Sequence, residues 1–341
     1  MKLYHGYPVG VAGASDVARR WSEGSLLEQK VVIVGVGIAG TVHARVLEGF
    51  PGVAVVAGID TAARDLTFRG TKVPIYPSFF EMTAAIKSLP DIVVVATPTP
   101  THAKVCGEVA EYFGQAAIIV EKPAASNLED VRRIVYGIGG KQPVTVAYHM
   151  AFSPVVEWGV RETANRADQL GTPAAIEAWA ADPYQADVET ARERLANSWA
   201  DSGINALSVI ERFAKPIART SLRQIDSRAR SVFEGAFLCE AGGKHVPATI
   251  MTSWYSTEPS RWTKIRYSSG AELFMDHHAV TGYLRQDGRT SALFGSDGTT
   301  PRREAHYRAL YRSWLGSGDE IFAARTSLRL HDLLLDDHLT R

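Results

Sequence analysis

The chain has 341 residues, 45% of them apolar and 22% charged, which is typical of a two-domain globular protein and excludes a disordered or repetitive one. The 37 basic and 37 acidic residues cancel, so no net charge attracts nucleic acid or anionic lipid, and we expect neither as a partner. The only cysteines, Cys106 and Cys239, offer no disulfide framework, and no apolar run is long enough for an export signal or a membrane span. These features favour a cytoplasmic protein that binds a small molecule.

Residues 30–148 alternate short apolar runs with stretches of helical period. The runs are VVIVGV, VAVVAGID, DIVVVATP, AAIIVEKP and PVTVAYH. Apolar runs of this length, separated by helices, are typical of parallel strands buried on both faces. The pattern predicts an α/β domain with a doubly wound parallel sheet of the Rossmann type. The N-terminal extension, residues 1–29, matches neither domain and could be an ordered arm or a frayed tail.

Residues 149–341 show longer runs with partial two-residue alternation, as in ATIMTSWYST, RWTKIRYSS and AELFMDHH. Such alternation is typical of half-buried strands, and turns rich in glycine or polar residues separate the runs. We therefore expect a second domain of the α+β class, built on an open, mainly antiparallel sheet.

The run VVIVGVGIAG places Gly35, Gly37 and Gly40 in G-x-G-x-x-G spacing between a strand and a helix. In a dinucleotide site these glycines allow a tight turn, close approach of a pyrophosphate, and close packing of helix on strand. Asp60 ends the next apolar run, twenty residues after Gly40, as the fingerprint requires. An acid there favours NAD, because it accepts from the ribose 2′-OH and repels a 2′-phosphate, although the nearby Arg64 leaves NADP open.

The segment ATPTPTH follows the next predicted strand. Pro98 and Pro100 would stop the strand and present Thr97 and Thr99 to a ligand, and Thr101 could cap the following helix. A proline-stiffened strand exit would explain most of this pattern without a ligand.

The segment VEKPAAS places Glu121 and Lys122 directly after another apolar run, with Pro123 behind them. A lysine at a buried strand end is costly unless it is used or paired, and the peptide bond before Pro123 could be cis. From these residues alone, Lys122 is equally a catalytic or substrate-binding group and a surface lysine.

Taken in order, the segments G-V-G-I-A-G, A-T-P-T-P-T-H, E-K-P and A-Y-H-M-A-F-S-P resemble the Gfo/Idh/MocA family of nicotinamide-dependent oxidoreductases. Members of that family pair a Rossmann domain with an α+β domain whose open sheet mediates oligomerisation, so the resemblance implies a homodimer or homotetramer. It also implies that Lys122 lies beside the nicotinamide and the substrate and takes part in catalysis. The residues expected to contact NAD or NADP are Gly35, Gly37, Ile38, Ala39, Gly40, Asp60, Arg64, Thr97, Pro98, His102, Glu121 and Lys122.

The segment WADSGINALSVIERF carries the information about subfamily. Many members show D-x-G-x-H here, with the histidine as acid or base, whereas this chain has Asn205. The form D-x-G-I-N-A-L-S resembles the sugar 1-dehydrogenases that act on L-arabinose, D-galactose and related aldoses, which implies that Asp201 and Asn205 contact the sugar near its anomeric carbon. Without that resemblance, Asp201 would be interpreted as a helix N-cap and Asn205 as an exposed polar residue of the first turn.

The chemistry of an anomeric hydroxyl makes this substitution intelligible. It belongs to a hemiacetal and is more acidic than an ordinary alcohol, so its oxidation needs a weaker base. Asn205 cannot accept a proton, but Asp201, or Lys122 with a pKa lowered by burial, could do so while hydride leaves C1. The further candidates for substrate contact are His149, Asp182 and Trp199.

His149 is assigned to the pocket on the resemblance alone, since a lone histidine after a strand is otherwise a core or surface residue. Met150 and Ala151 follow it where family members often carry basic or polar residues, so the pocket could be less polar than a site for a free sugar.

The leading hypothesis is therefore an NAD(P)-dependent oxidoreductase that moves hydride to or from C1 of an aldose or a sugar-like substrate. A second hypothesis is a biosynthetic reductase of a keto-sugar or a cyclic imine, with Lys122 or a nearby tyrosine as proton donor. A third, of another class, is a non-catalytic regulator that binds nucleotide and sugar. The presence of both Lys122 and Asp201 argues against it, because a binder needs no proton-transfer pair.

No metal site is expected. His277 and His278 are adjacent, would face opposite sides of a strand and are interpreted as a solvated strand or turn. Four arginines close in sequence could attract an anionic substrate: Arg302, Arg303, Arg308 and Arg312. The i, i+4 spacing of a helix surface explains Arg308 and Arg312 without one.

Overall fold

The structure is a computed structural model that describes residues 28–62, 64–86, 88–195, 197–225, 232–316 and 323–335. The predicted N-terminal extension lies outside the described residues except for its last two positions. Within the described part of the chain, no helix is both long enough and apolar enough to cross a membrane.

The first domain is built on a parallel sheet of six strands in the order β5-β2-β1-β6-β7-β8. Its strands and a small hairpin are β1 (Gln29–Val34), β2 (Val53–Ile59), β3 (Thr67–Phe68), β4 (Thr71–Lys72), β5 (Ile75–Tyr76), β6 (Ile92–Val95), β7 (Ala117–Glu121) and β8 (Val144–Ala147). The apolar runs form β1, β2, β6, β7 and β8, because residues such as Val32, Val93 and Ile119 are buried between two layers of helices. The strand order reverses between β1 and β6, where doubly wound folds bind dinucleotides.

The helices of the first domain are α1 (Ile38–Leu47), α2 (Phe79–Ala85), α3 (His102–Tyr112) and α4 (Leu128–Arg132), which continues as a π-helical turn over Arg133–Ile138. Two of them begin at a side-chain cap. Ser78 Oγ accepts from the Glu81 N–H at α2 over 3.2 Å, and Asn127 Oδ1 accepts from the Asp130 N–H at α4 over 2.9 Å.

The second domain is built on a sheet of eight strands in the order β10-β11-β12-β9-β13-β14-β15-β16. The strands are β9 (Pro173–Pro183), β10 (Lys215–Gln224), β11 (Val232–Ala241), β12 (Lys244–Ser253), β13 (Tyr255–Tyr267), β14 (Glu272–Asp276), β15 (Thr281–Gln286) and β16 (Arg289–Phe294). Every neighbouring pair is antiparallel except β12 and β9, which are parallel. The predicted α/β plus α+β fold class is confirmed.

The described residues of this second half form six helices: α5 (Pro154–Asn165), α6 (Ala167–Leu170), α7 (Val188–Leu195), α8 (Ile204–Glu211), α9 (Arg302–Gly316) and α10 (Ala324–Leu335). A π-helical turn over Trp199–Gly203 leads directly into α8. Residues Ile204–Ile210 are all buried, because α8 lies between the sheet and the helices around it.

The last two helices return to the first domain. On α9, the Tyr311 hydroxyl lies 2.7 Å from His43 Nδ1, and Trp314 Nε1 donates to Thr145 Oγ1 over 3.1 Å. On α10, His331 Nε2 accepts from the Ala124 N–H over 3.0 Å. The end of the chain thus fixes the second domain against the sheet edge that carries the predicted site.

Candidate active site

The carboxyl ends of the parallel strands open into a cleft of about 680 Å³ between the two domains. The residues that follow β1, β2 and β6 contribute Gly35, Asp60 and Thr97 to its wall, and those that follow β7 and β8 contribute Lys122 and His149. Open α/β sheets bind ligands on this side, at the reversal of strand order. The fold therefore brings together residues that lie more than a hundred positions apart in the sequence.

The three glycines differ in what surrounds them. Gly35 has φ +88°, and a Cβ there would lie 2.7 Å from the backbone of Ala96; a Cβ on Gly40 would lie 2.0 Å from the Gly35 carbonyl oxygen. A Cβ on Gly37 would meet no described atom within 4 Å, so space is left open directly before helix α1. Gly37 begins that helix without a capping bond from any described side chain, which leaves the first backbone N–H groups of α1 for an anion.

Asp60 connects the first two strand ends. Its Oδ2 accepts from the Val36 N–H and its Oδ1 from the Ala62 N–H, each over 2.8 Å. Arg64 and Asp60 also line an adjoining cavity of about 600 Å³ that extends past β5. Carboxylate oxygens accept more than one hydrogen bond each, so Asp60 can hold both turns and still accept from a ribose hydroxyl.

The loop after β6 is fixed from two sides. The Thr101 hydroxyl donates towards the Pro98 carbonyl and Thr97 Oγ1, at 2.7 and 2.8 Å, and makes no capping bond to α3, contrary to the prediction. His102 is buried, with Nε2 2.8 Å from the Thr97 carbonyl and Nδ1 3.1 Å from that of Pro123. Burial lowers the pKa of His102, and because a neutral imidazole carries one N–H, the neutral ring can donate to only one of these two loops at a time.

Glu121 ends β7 as a buried carboxylate with three donors. Its Oε1 accepts from His43 Nε2 over 2.9 Å and from the Tyr307 hydroxyl, and its Oε2 from the Lys122 N–H over 3.1 Å. Burial alone would raise the pKa of Glu121, but these hydrogen bonds and the charge of Lys122 outweigh it and lower the pKa. Because an ionised carboxylate only accepts, His43 Nε2 donates to Glu121, and His43 Nδ1 lies 2.7 Å from the Tyr311 hydroxyl.

Lys122 and Asp201 form a buried ion pair across the domain boundary. Lys122 Nζ donates to Asp201 Oδ1 over 2.6 Å and to the Asp201 carbonyl over 3.2 Å, and the two side chains are only 12% and 8% exposed. The peptide bond between Lys122 and Pro123 is cis. The structure therefore excludes a surface lysine at Lys122, and Asp201 is not an N-cap, because it lies inside the π-helical turn and α8 begins after Gly203.

Asn205 lies one turn beyond Asp201, on α8, and lines the cleft. It is 5% exposed, so it is not the exposed residue that local sequence would suggest, and its Oδ1 has no hydrogen-bond partner among the described residues. Asp182, at the end of β9, accepts from Ser202 Oγ over 3.0 Å and from an Arg261 guanidinium nitrogen. A buried amide oxygen without a partner, beside a cleft, is a place for a ligand hydroxyl or amine.

His149 lies in a short 3-10 turn after β8 and stacks on two residues of α9, His306 and Tyr307, with ring centroids 5.7 and 4.7 Å away. Burial, followed by the repulsion between His149 and His306 if both were protonated and by the charge of Lys122, holds the pKa of His149 well below its usual value. His149 is therefore a neutral ring near Lys122, and its Nδ1 has no partner among the described residues.

The structure does not bring Trp199 to the cleft. Its indole N–H donates to the Leu334 carbonyl over 2.8 Å, and its ring stacks on Phe237 with centroids 5.9 Å apart. All the other residues predicted to contact cofactor or substrate line the cleft except Gly40 and Asp182, which support its walls from behind.

Sequence reasoning also missed cleft residues. It gave no role to Tyr184, to Arg261 on β13 or to His306 on α9. His277, predicted to be solvated, is instead fully buried, with Nε2 2.9 Å from Thr263 Oγ1. A single charged residue in an alternating strand does not indicate a cleft, whereas the arginines at the start of α9 did indicate an anion-binding region.

The cleft fits a dinucleotide. The open space before α1 would take the pyrophosphate, and Ile38, which is 73% exposed in the first turn of that helix, presents an apolar side chain to the same space. Asp60 and Arg64 would face the adenosine ribose in the adjoining cavity, and Thr97, Pro98 and Lys122 lie further along the cleft. Among the described residues, no group of three or more His, Cys, Asp or Glu could hold a metal ion.

Comparison with known families identifies this first domain. Residues 29–147 match the family GFO_IDH_MocA, described as an oxidoreductase family with an NAD-binding Rossmann fold. The first domain therefore belongs to the Gfo/Idh/MocA oxidoreductase family, as the sequence motifs predicted, and has the NAD-binding Rossmann fold of that family. No curated protein matches the chain in sequence.

Solved structures share the fold of both domains. GenD2 from gentamicin A biosynthesis, solved with NAD, is 16% identical over 91% of this chain and 93% of its own, with a TM-score of 0.66. A myo-inositol dehydrogenase from Corynebacterium glutamicum is 18% identical over 90% and 95%, with a TM-score of 0.68. The UDP-N-acetylglucosamine 3-dehydrogenase GnnA from Acidithiobacillus ferrooxidans is 16% identical over 91% and 97%, with a TM-score of 0.67.

Proposed function

We propose that this protein oxidises C1 of an aldose or a sugar-like substrate, with NAD as hydride acceptor. The observation that carries the proposal is the buried ion pair of Lys122 and Asp201, with the unpartnered Asn205 oxygen beside it in the NAD-binding cleft. The match to the oxidoreductase family supports an NAD-binding Rossmann fold in the first domain. The substrate and the direction of hydride transfer are the proposal.

The ion pair provides a place for the hydroxyl proton. A bound nicotinamide would supply the hydride acceptor at this end of the cleft. An ammonium group has no lone pair, so Lys122 can take the substrate proton only after passing one of its own to Asp201, 2.6 Å away. The proton lost from the substrate hydroxyl then remains on the pair, while the charge developing on that oxygen lies next to Lys122.

Asn205 fits a hemiacetal better than an ordinary alcohol. The amide cannot act as a base, but it can donate and accept hydrogen bonds with two hydroxyls of the sugar, and its buried Oδ1 needs such a donor. An anomeric hydroxyl ionises more readily than a secondary alcohol, so the Lys122–Asp201 pair is sufficient as base. The product of C1 oxidation would be a lactone.

The choice of nucleotide depends on Asp60. Its two oxygens already accept backbone N–H groups, and its negative charge would repel a 2′-phosphate, which supports NAD over NADP. Arg64 and Lys72 line the same cavity and could attract a 2′-phosphate, although Lys72 already pairs with Asp65.

One observation favours the second hypothesis, reduction of a keto-sugar or a cyclic imine. Tyr184 lines the cleft, and burial, followed by the charges of Asp201 and Asp182, raises its pKa to about 12. A phenol that stays protonated at neutral pH can donate a proton to a carbonyl or imine but is a poor base. Tyr184→Phe therefore separates the two hypotheses, since only the reductase should lose most of its activity.

The test follows absorbance at 340 nm with NAD, then NADP, against arabinose, galactose, xylose and glucose. We expect Lys122→Ala and Asp201→Asn to lower kcat by about 10²- to 10⁴-fold, the range of general acid–base catalysis, and Asn205→Ala to act mainly on KM. Lys104→Ala is the matched control, because Lys104 is exposed on α3 and pairs only with Glu108 in the described part of the chain.

The proposal is supported if the wild type and the Lys104→Ala variant oxidise an aldose and the Lys122→Ala variant does not. Turnover of every aldose by the Lys122→Ala variant at the wild-type rate would contradict it. If NAD binds and no aldose is oxidised, ketones and cyclic imines with NADH become the substrates to test, and C1 oxidation is rejected.

A further inference from the structure

The second-domain end of the cleft is positively charged. Arg261 on β13 and Arg302 and Arg303 at the start of α9 line the same cleft as Lys122 and Asn205. They are close to the reacting end, because Arg261 and Arg303 both act electrostatically on Tyr184, as do Asp201 and Asp182.

The carboxylates of this region do not balance the cations. Asp201 pairs with Lys122, and Asp182 pairs with Arg261. Neither Arg302 nor Arg303 makes an ion pair with any carboxylate of the described residues. Arg302 is half-buried and only partly offset by the charges of Asp182 and Asp276, and Arg303 is exposed at the same end of the cleft, so both guanidinium groups can form an ion pair with a ligand.

Arg302 is held in this position at a cost. Burial and the charges of Arg261 and Arg303 lower its pKa to about 10, which means that its surroundings oppose its charge. Its Nη1 lies 2.7 Å from His278 Nδ1, a neutral acceptor, since burial and the charges of Arg302 and Arg261 also lower the pKa of His278. An arginine beside two others is unfavourable unless an anion is to be bound.

Unpartnered polar atoms give independent support. His306 is 3% exposed, and its Nε2 has no partner among the described residues; the same is true of the buried Nε of Arg261. Burial, then His277 and Arg302, keep the pKa of His306 well below its usual value, so its ring is neutral and adds no charge. A guanidinium N–H can only donate, and an oxyanion would satisfy it.

We propose that Arg261, Arg302 and Arg303 bind an anionic group of the substrate, so that the substrate is a sugar bearing a carboxylate or a phosphate rather than a neutral aldose. That the substrate is a sugar rests on the proposed C1 oxidation. The binding of an anion by these arginines does not depend on that reaction. These arginines are not proposed to bind the pyrophosphate of the cofactor, because we expect the pyrophosphate in the open space before α1.

The test measures binding to protein saturated with NADH, in which the nucleotide phosphates already fill their own site and oxidation cannot proceed. Calorimetric titrations compare D-galacturonate with D-galactose, and D-glucose 6-phosphate with D-glucose. We expect at least one acid to bind about 10-fold or more tightly than its neutral partner, and its affinity to fall with added salt. The pair that shows the preference distinguishes a carboxylate from a phosphate.

Substitutions identify the subsite. Arg302→Gln and Arg303→Gln should weaken the preferred acid about 10- to 100-fold and the neutral sugar less than about twofold. Arg308→Gln is the matched control, because Arg308 is exposed on the same helix and is not among the residues that line the cleft. Inorganic phosphate serves as a probe that needs no sugar, and Arg302→Gln should weaken its binding in the same way.

Equal affinity for acid and neutral sugars, or equal weakening of both by Arg302→Gln, overturns the proposal, as does phosphate binding that no arginine substitution changes. Acids that bind through Arg302 and are not oxidised would leave the anion subsite standing and reject C1 oxidation. If neutral aldoses are oxidised and acids bind no more tightly than they do, C1 oxidation stands and the anion subsite is rejected.

Discussion

Glu121 shows how a single buried side chain can serve both domains. It accepts from His43 on α1, from Tyr307 on α9 and from the backbone of Lys122, so one carboxylate connects the nucleotide-binding helix, the last part of the chain and the proposed catalytic lysine. A buried ion is stable only when its lone pairs are satisfied in this way. We therefore infer that Glu121 positions Lys122 without touching the substrate.

Glu121→Gln should lower the free energy of unfolding by about 2–3 kcal/mol at pH 7, because a neutral amide cannot replace the charge-assisted bonds. The pKa of Glu121 is lowered in the folded state from an unfolded value near 4.5. Its contribution is thus fully present above that pH and is lost as pH falls through the folded pKa. Urea unfolding of wild type and variant between pH 3 and 7 should show curves that converge in acid.

Glu108→Gln provides the control, since Glu108 is partly exposed and pairs with Lys104 one turn away. Its unfolding free energy should stay within about 0.5 kcal/mol of wild type at every pH. If the difference in unfolding free energy between wild type and Glu121→Gln does not shrink in acid, the loss of stability comes from altered packing rather than from the missing negative charge.

The sequence predicted which residues form the site better than it predicted which residues each of them contacts. Lys122, Asp201 and Asn205 were assigned from motif resemblance, and the structure places them together; their catalytic roles stay a prediction. Local pattern alone gave the wrong environment for Asp201 and Asn205, because the Lys122–Asp201 contact joins positions 79 residues apart. Arg261 was missed for the same reason, since its pairing with Asp182 depends on the register of β13 against β9.

The element that recognises the nucleotide is a strand, a turn and a helix, and its three glycines have separable duties. Gly35 and Gly40 allow the chain to pack against itself, and Gly37 leaves a space. The spacing predicted the close packing at Gly35 and Gly40, because the turn geometry is local, and the approach of a pyrophosphate at Gly37 stays a prediction. The sequence did not predict the edge strand β5 or the β3–β4 hairpin. Each of these strands has only two residues, which is too short to show a periodicity.

Gly37→Ala and Gly40→Ala should therefore have different effects. The Gly37 methyl enters open space, so the free energy of unfolding should change by no more than about 1 kcal/mol while the Kd for NADH rises at least about tenfold. The Gly40 methyl would lie 2.0 Å from a carbonyl oxygen, and we expect a loss of about 3 kcal/mol or more. Fluorescence titration and urea unfolding measure the two quantities. Equal NADH affinity for wild type and Gly37→Ala would contradict the assignment of this space to the pyrophosphate.

At the scale of the whole molecule, α9 and α10 connect the end of the chain to the first domain. Tyr311 and Trp314 contact His43 and Thr145, and His331 accepts from the backbone next to Pro123. These contacts are buried and polar, so the two domains should not open independently. The two-domain organisation was predictable from the change in strand pattern, but this return was not, because nothing local in α9 indicates which domain it covers.

NAD binding to the first domain should therefore stabilise the second. At 100 times Kd, NAD contributes about 2.7 kcal/mol, which raises the melting temperature by about 4 °C if the molecule unfolds as one unit. All six described tryptophans follow residue 147, but Trp314 contacts Thr145 of the first domain, so emission in a variant with both Trp21→Phe and Trp314→Phe reports the second domain alone. The emission midpoint should move together with the far-UV circular dichroism midpoint. An unchanged emission midpoint beside a shifted circular dichroism signal would show that the domains unfold separately.

Helix α9 divides its residues along its length. Its first five residues carry Arg302, Arg303 and His306 into the cleft, whereas Tyr311 and Trp314, further along, secure the helix to the first domain, and Tyr307 does both. Changes of substrate in the course of evolution, or by design, could thus be confined to the start of the helix without loosening the scaffold. A library randomised at positions 302, 303 and 306 alone would sample new specificities on an unchanged fold.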